Sequence, residues 1–194
     1  MNISTLVPKR TNCYLIETEA GKILVDTDEP QTLYTLLRLF KEHSVAANQI
    51  RYLVVTHFHP DHDGCVQDLK ELGVTLLLHE VQEPYVQAGN DFFHKSRNYE
   101  FRDIRLDDNL VVSSAESRRL LAELGIQGEL ISTPGHSPDS ISLVMDGCCA
   151  FTGDLPDFPI IEAFEEPIYR ESWDRILGFD VRQSYPGHNR SFAL

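Results

Sequence analysis

An apolar segment that ends in a cluster of histidines constrains the fold of this chain more than any other part of its sequence. Residues 52–55 are the Tyr, Leu and Val residues typical of a buried strand, and residues 56–62 follow at its end. This second segment contains His57, His59, Asp61 and His62. Imidazoles and carboxylates crowded this closely repel one another or lose hydration at a high cost unless a cation binds them. The sequence therefore predicts a metal site at a strand end, with ligands enough for two metals.

Three later turns carry further residues of the same chemistry. His136 ends a Thr-Pro-Gly-His turn, Asp154 a Thr-Gly-Asp turn and His188 a Pro-Gly-His turn. Each turn follows an apolar, strand-like segment and breaks at Gly or Pro just before the polar residue. We therefore expect four strand ends to aim their polar side chains at one edge of the fold.

The order of these residues resembles the metallo-β-lactamase fold superfamily. The pattern of that family is His-x-His-x-Asp-His, then a single His, a single Asp and a last His, and all seven positions are filled here. The resemblance covers nearly the whole chain and implies two metal-binding triads joined by one carboxylate. The first triad is His57, His59 and His136, the second is Asp61, His62 and His188, and the bridging residue is Asp154.

The resemblance also implies an α/β fold, the αββα sandwich, in which two mixed β-sheets are flanked by helices and the metal site lies at one edge. The residues agree with this architecture, because a hairpin is predicted over 13–26 and amphipathic helices are predicted from 33 and 114. With 194 residues, of which 42% are hydrophobic, the chain is long enough for one sizeable core. We expect a single domain over residues 1–194.

Residues 84–109 have little sustained periodicity and are predicted to be an irregular variable insertion. Aromatic residues alternate with cations in this segment, and long irregular segments often cover sites. One interpretation is a lid that contacts substrate, and the alternative is a loop with its own small hydrophobic cluster. The substrate contacts predicted on the first interpretation are Phe93, Lys95, Arg97 and Tyr99.

Two acidic residues at the end of the predicted hairpin are assigned different roles. Asp26 is predicted to support the metal loop from behind, because metal-bound imidazoles usually donate their other N–H to a carboxylate or carbonyl. Members of the family commonly have Asp-x-Gly where this chain has Asp26, Thr27 and Asp28. We expect Asp28 to face solvent.

The cysteines and the net charge indicate the compartment of the protein and the kind of partner it binds. Cys13, Cys65, Cys148 and Cys149 lack the spacing of a disulfide framework, and we expect all four to be buried and free, with Cys65 the one weighed as a metal ligand. A net charge of −13 argues against long nucleic acids, so a small-molecule substrate is the expected partner. No apolar stretch reaches the length of a membrane span and no basic leader precedes one, so we expect a cytoplasmic protein without a membrane partner.

The chemistry implied by this site is that of a dinuclear metal-dependent hydrolase, in which a metal-bound hydroxide attacks a small thioester, ester or lactone. Asp61 is the predicted catalytic proton carrier. Two divalent ions are expected, zinc by preference, with iron or manganese as alternatives that suit the same ligands. The turns at His136 and Asp154 resemble glyoxalase II and its short bacterial relatives. The chain ends six residues after His188, without the helices with which glyoxalase II grips glutathione, so we do not expect glutathione thioesters.

Other functions within the same fold stay open. One is an acyl-homoserine lactonase, in which Tyr99, Tyr169 or Tyr185 would serve near the site. A second is a single-iron sulfur dioxygenase that uses only the first triad, and a third is a non-catalytic metabolite-binding scaffold. β-Lactam hydrolysis is disfavoured, because the secreted enzymes need an export signal.

Overall fold

The computed structural model of this chain describes residues 1–95 and 100–194, and its first half builds one sheet. The strands are β1 Asn2–Leu6, β2 Cys13–Glu17, β3 Lys22–Val25, β4 Ile50–Val54, β5 Thr75–His79 and β6 Leu110–Val112. Within the described ranges they lie side by side in the order of their numbers. The pairs β1–β2 and β2–β3 are antiparallel, whereas β3 to β6 are parallel neighbours. The sheet is therefore mixed, as predicted.

The second half builds another mixed sheet. Its strands are β7 Gly128–Ser132, β8 Ile141–Met145, β9 Cys149–Gly153, β10 Gln183–Pro186 and β11 Phe192–Ala193. Their order in the described structure is β11-β10-β9-β8-β7. Only the β9–β10 pairing is parallel, and the other pairs are antiparallel.

The helices lie between strands and outside the sheets. They are α1 Leu33–Glu42, α2 Pro60–Asp63, α3 Val66–Glu71, α4 Glu83–Lys95, α5 Ser114–Glu123 and α6 Pro167–Leu177, with short 3₁₀ helices at Ala47–Gln49 and Phe158–Ala163. The helix α5 begins at a capping box, in which Glu116 accepts the backbone N–H of Ser113 at 2.9 Å and Ser113 Oγ accepts the N–H of Glu116 at 3.4 Å. These bonds satisfy N–H groups that the first turn of a helix leaves unpaired.

Alternation along the strands divides the apolar residues into layers. In β2, Leu15 packs with Leu36 of α1 and Leu69 of α3, while its neighbour Ile16 packs with Phe151 of the opposite sheet. Successive side chains of a strand point to opposite faces, so a strand buried on both sides serves two cores. A third core joins the outer face of the second sheet to α6, with the fully buried residue Trp173 at its centre. The resulting order is helix, sheet, sheet, helix, and the predicted αββα sandwich is confirmed.

The prediction of an irregular segment over residues 84–109 was wrong for its first half. Residues Glu83–Lys95 form the thirteen-residue helix α4, and residues 100–109 contain no helix or strand. The latter residues are held by side chains from neighbouring helices, since Asn90 exchanges two hydrogen bonds with the backbone of Ile104 and Gln67 accepts the N–H of Arg105. In the described ranges, no helix has both the length and the apolar character needed to cross a bilayer.

Candidate metal centre

The carboxyl ends of four strands place the predicted ligands along one edge of the sandwich. The segment 57–62 follows β4 and enters α2, His136 follows β7, Asp154 follows β9 directly, and His188 follows β10. Pro60 occupies the first turn of α2, where its missing N–H has no intrahelical partner to lose. The structure thus brings together all seven residues that the sequence predicted as ligands. That they bind metal remains a prediction.

The first predicted triad forms one cluster. The candidate ligand atoms of His57, His59 and His136 lie within 4.8 Å of one another. His136 Nε2 lies 3.0 Å from His59 Nδ1. His57 is fully buried, whereas the side chain of His136 is 31% exposed, so the cluster opens toward solvent on one side.

The second predicted triad forms another cluster beside the first. The candidate ligand atoms of Asp61, His62 and His188 also lie within 4.8 Å of one another. His188 Nε2 is 3.2 Å from Asp61 Oδ2, and His62 Nε2 is 4.0 Å from the same oxygen. His62 forms the buried end of this cluster, and Asp61 and His188 are its solvent-facing members.

Asp154 lies between the triads and directs one oxygen toward each. Its Oδ2 is 3.6 Å from His136 Nε2 and 4.0 Å from His57 Nε2. Its Oδ1 is 3.2 Å from His62 Nε2 and 3.4 Å from His188 Nε2. This is the position expected of a carboxylate that bridges two cations.

The hydrogen bonding of the buried ligand atoms tests whether cations fit here. Among the described residues, His57 Nε2, His62 Nε2 and Asp154 Oδ1 are buried without a hydrogen bond. His62 Nε2 and Asp154 Oδ1 lie 3.2 Å apart, but their geometry is that of an ion contact and not of a hydrogen bond. Buried polar atoms are nearly always paired in native proteins, so unpaired atoms gathered at one place need another partner. Imidazole nitrogens and carboxylate oxygens suit zinc, iron and manganese. The residues therefore fit the divalent ions that the ligand set implies.

Asp26 supports the second triad from behind, in agreement with the sequence prediction. Its Oδ2 lies 2.9 Å from His62 Nδ1. The same carboxyl group accepts the backbone N–H of Thr56 at 2.7 Å and the hydroxyl of Thr56 at 2.9 Å. A carboxylate on Nδ1 fixes the ring and leaves Nε2 directed at the metal position.

The expectation that Asp28 faces solvent was wrong. Asp28 is fully buried at a φ of +65°, and its Oδ2 accepts the N–H groups of Lys9 at 2.6 Å, Arg10 at 3.0 Å and Thr11 at 3.3 Å. Asp tolerates this left-handed backbone better than most residues do, and the buried carboxylate gains three donors. The carbonyl oxygen of Arg10 in turn lies 3.4 Å from His188 Nδ1. Asp28 thus holds the loop 9–11, whose Arg10 carbonyl contacts His188.

The cysteines are free, and three of them are buried, as predicted, while Cys148 is half-buried. Cys65 Sγ lies 3.4 Å from the hydroxyl of Thr32 and 3.5 Å from the carbonyl of Glu29. The clusters of candidate ligands found within the described residues do not include Cys65. The packing of Cys65 therefore agrees with a buried free thiol and not with a metal ligand.

Two glycines allow the ligand loops to approach each other closely. A Cβ at Gly187 would lie 2.6 Å from Asp154 Oδ1 and 2.8 Å from His62 Cε1. Gly153 has a φ of +54°, and a Cβ there would lie 2.6 Å from Thr56 Oγ1. Any side chain at these positions would push the bridging carboxylate or the Thr56 support away, so the site requires glycine at both.

Electrostatics in the metal-free protein divide the histidines into two kinds. Burial, with a contribution from His62, holds the pKa of His57 well below its ordinary value. Burial acts in the same direction on His62, but the carboxylates of Asp26 and Asp154 outweigh it and raise the pKa of His62 well above that value. Burial alone would raise the pKa of Asp154, yet its close contacts with His188 and His62 hold it far below its usual range. Asp154 is therefore ionised, and its charge is balanced by protons on the second triad.

Metal binding to the second triad should depend on pH, because His188 must lose a proton. Its contacts with Asp154 and Asp61 raise the pKa of His188 to about 10 in the metal-free protein. The proton is therefore present at neutral pH and is lost as the pH rises through that value, so we expect affinity to rise by up to about tenfold per pH unit for each proton displaced. Calorimetric titration in two buffers of different ionisation enthalpy would detect proton release. Affinity that does not change with pH would contradict the assignment of His188.

Clefts flank the candidate centre on two sides. One of about 330 Å³ lies between α4 and the first triad and is lined by Phe93, among others. Another of about 230 Å³ lies on the side of His136 and His188. Of the other predicted substrate contacts, Lys95 is exposed at the end of α4 and does not line either of these clefts, and Arg97 and Tyr99 lie outside the described residues.

The tyrosines considered for a lactonase occupy different places. Tyr185 stacks on Phe151 in the core between the sheets, with ring centroids 5.0 Å apart. Tyr169 lies next to the turn of the first triad, because a Cβ at Gly135 would be 2.6 Å from its ring. Tyr99 is outside the described residues.

Two acidic residues near the site were missed by the sequence analysis. Asp139 is buried and its Oδ2 accepts the N–H of Phe58 at 2.7 Å, which fixes the loop between the first two histidines. Asp63 is fully buried, and among the described residues neither of its carboxyl oxygens has a hydrogen-bond partner. Burial raises the pKa of Asp63 well above its usual range. Asp63 could have been noticed because it directly follows the His-x-His-x-Asp-His motif. No nearby residue marks Asp139, since its partner Phe58 is 81 positions away in the sequence.

Comparison with known proteins agrees with the geometry. Residues 6–188 match the model of the metallo-beta-lactamase superfamily. The chain therefore belongs to the metallo-beta-lactamase superfamily.

Curated relatives are distant and longer than this chain. The chain is 29% identical to a "Beta-lactamase-like protein 2 homolog" of Caenorhabditis elegans over 180 residues, which are 92% of this chain and 55% of the relative. It is 27% identical to the "Thioesterase pkgB" of Emericella nidulans over 185 residues, which are 92% of this chain and 45% of the relative. The chain thus spans about half the length of the curated relatives it matches.

Solved structures of the family share the fold. TTHA1623, solved in a di-iron-bound form, has a TM-score of 0.72 and 25% identity over all of this chain and 94% of its own. A metallo-beta-lactamase family protein of Thermus thermophilus has a TM-score of 0.71 and 22% identity over 97% of this chain and 71% of its own.

Proposed function

We propose that this protein is a metal-dependent hydrolase that cleaves a small thioester or a related ester or lactone. The observation that carries the proposal is the pair of triads joined by Asp154, whose two oxygens face different triads. A structural metal site is closed by its ligands, whereas these clusters open to solvent through His136 and His188. An open site beside a cleft favours chemistry over a structural role.

The thioester is preferred among the possible bonds on one piece of evidence. One relative of this chain is named a thioesterase, at 27% identity. The chain matches only 45% of that relative, so the name supports the class of bond and not a particular substrate. Esters and lactones, which present the same kind of carbonyl group, are within the proposal.

The two triads would hold two divalent ions, with Asp154 shared between them. Such a pair, when bound, lowers the pKa of water toward neutrality and polarises a carbonyl group. Zinc is the preferred metal because it accepts both imidazole nitrogen and carboxylate oxygen, and the neighbour solved in a di-iron-bound form supports iron as the alternative. Manganese suits the same set of ligands.

Asp61 is proposed to carry the proton. Its side chain is 28% exposed, more than the 15% of Asp154, so its carboxylate can exchange a proton with solvent. Burial would raise the pKa of Asp61, but contacts with His188 and His62 lower it, which keeps the carboxylate able to accept a proton. The carboxylate of Asp61 would hold the proton of the attacking water and return it to the leaving group.

The expected partner is a small molecule rather than a nucleic acid. A net charge of −13 repels long polyanions, although a cation pair would make the site itself locally positive. The cysteines are free, with the neighbouring thiols Cys148 and Cys149 unpaired, which favours a reducing compartment such as the cytoplasm.

One experiment tests the proposal. The purified protein is analysed for metals per chain, and the same sample is assayed on a panel of thioesters, esters and lactones before and after a chelator. We expect about two equivalents of zinc and turnover that the chelator removes and added metal restores. One equivalent of iron without hydrolysis would favour the oxygenase, and absence of bound metal would favour the non-catalytic scaffold.

A further inference from the structure

The cleft beside the first triad is built mainly from aromatic and aliphatic side chains. Helix α4 contributes Tyr85, Ala88, Phe92 and Phe93 to one wall, and the turn 137–139 forms the other. The volume is about 330 Å³, near the lower end of the range of ligand pockets, which starts at about 300 Å³. A space of this size and lining accepts one aromatic ring or a short alkyl chain.

The position of the cleft links it to the reaction. His59 lines the cleft and belongs to the first triad, so a group held there is next to the candidate metals. Phe92 at the cleft is 51% exposed, which leaves apolar surface available to a bound group. Covering such surface is favourable because it removes apolar area from water.

The described side chains that line the cleft are unfavourable to anions. Asp139 lines it and is the residue whose Oδ2 accepts the N–H of Phe58. Within the described part of the chain, neither lysine nor arginine lines the cleft, and Lys95 points into solvent from the end of α4. A carboxylate bound against the turn 137–139 would meet the like charge of Asp139, and the described lining offers it no cationic side chain, which is unfavourable in a partly desolvated site.

We propose that this cleft binds the acyl portion of the substrate and selects an uncharged, apolar acyl group over a small or an anionic one. The inference rests on the proposed hydrolase function and specifies its substrate class. The carbonyl carbon lies toward His59, and the apolar chain extends between α4 and the turn 137–139. The leaving thiol then faces the cleft on the side of His188.

A set of thioesters with a single thiol tests the selection. The metal-loaded full chain is assayed with acetyl, hexanoyl, phenylacetyl and succinyl thioesters. We expect kcat/KM for the hexanoyl and phenylacetyl substrates to exceed that for acetyl by about 10-fold to 100-fold, the gain expected from burying an apolar group of this size. The succinyl substrate should be no better than acetyl. A preference for acetyl or for succinyl would overturn the proposal.

A pair of variants on α4 tests whether the acyl group binds in this cleft. Ala88→Phe fills the cleft from an exposed helix position and should reduce the preference for phenylacetyl over acetyl by at least about 10-fold. Gln87→Phe adds the same ring at the neighbouring exposed residue, which does not line the cleft, and should keep the preference. An equal preference in both variants would place the acyl group elsewhere.

A binding measurement separates this proposal from the proposed function. A thioether analogue of the phenylacetyl substrate, in which a methylene replaces the carbonyl, is titrated calorimetrically into the metal-free protein and both variants. Binding that weakens in Ala88→Phe but not in Gln87→Phe, without hydrolysis of any ester, would retain the apolar site and reject the hydrolase. Hydrolysis without acyl preference and without analogue binding would retain the hydrolase and reject the apolar site.

Discussion

In the Asp154→Ala variant we expect metal content to fall from about two equivalents per chain to near zero and hydrolysis to fall by at least about 10³-fold. The carboxylate directs one oxygen to each triad, and its ionised form balances their positive charge. Without it, each triad keeps ligands but loses the shared anion, so neither ion is held at its working position. Elemental analysis and thioester assays on the same sample measure both effects.

The fold should persist in this variant, because its apolar cores lie in the layers of the sandwich and Asp154 is at the edge. Asp146→Ala provides the control, since Asp146 is an exposed aspartate paired with Arg118 on the surface. This control should keep its metal and its activity. If Asp154→Ala retained two metals with full activity, the bridging role and the proposed mechanism would both be wrong.

The gathering of the seven candidate ligands at one edge was predictable from the sequence, because they follow the ends of strands and histidines are unusual at such turns. Local chemistry was enough there, because three histidines and an aspartate within 57–62 already predict a cation site, and His136, Asp154 and His188 repeat the strand–turn pattern. The role of Asp26 followed from the same chemistry, since a buried imidazole ligand needs an acceptor for its second nitrogen.

Helix α4 was missed because its buried face is only partly apolar. Val86, Gly89, Asn90 and Phe93 are buried at helical spacing, but two of the four are not hydrophobic. Asn90 is buried because it pairs with the backbone of Ile104, a contact that no periodicity reveals. A pattern of hydrophobic residues alone therefore underestimates a helix that packs through polar contacts.

Asp28 and Asp139 were misjudged or missed for a related reason, because their partners are distant in sequence. Asp28 binds backbone N–H groups of residues 9–11, and Asp139 binds that of Phe58. A short acidic side chain after a strand predicts a turn or a solvent-facing residue when read locally. Only the tertiary structure supplies the donors that make burial of these carboxylates favourable.

Removing the carboxyl group of Asp26 should have the largest effect on stability. In Asp26→Ala, the N–H and hydroxyl of Thr56 and the Nδ1 of His62 would be buried without their acceptor. Loss of one partner from a buried charged pair destabilises by about 3–5 kcal/mol, which lowers the melting temperature of a domain of this size by roughly 10 °C. Thermal unfolding of the metal-free protein measures this shift.

Asp26 also has a φ of +60°, so alanine adds backbone strain that must be separated from the lost contacts. Asp180→Ala is the matched control, because Asp180 is exposed and has a φ of +55°, and it should show the strain alone, about 1–2 kcal/mol. The metal affinity of the second triad should fall by about 10-fold to 100-fold in Asp26→Ala, because Asp26 contacts His62 directly. The affinity of the first triad should fall less, because Asp26 reaches His57 only through Thr56, whose Oγ1 is 3.3 Å from His57 Nδ1. Equal melting temperatures for the two variants, with both metals retained, would show that the contact between Asp26 and His62 neither stabilises the fold nor orients the ligand.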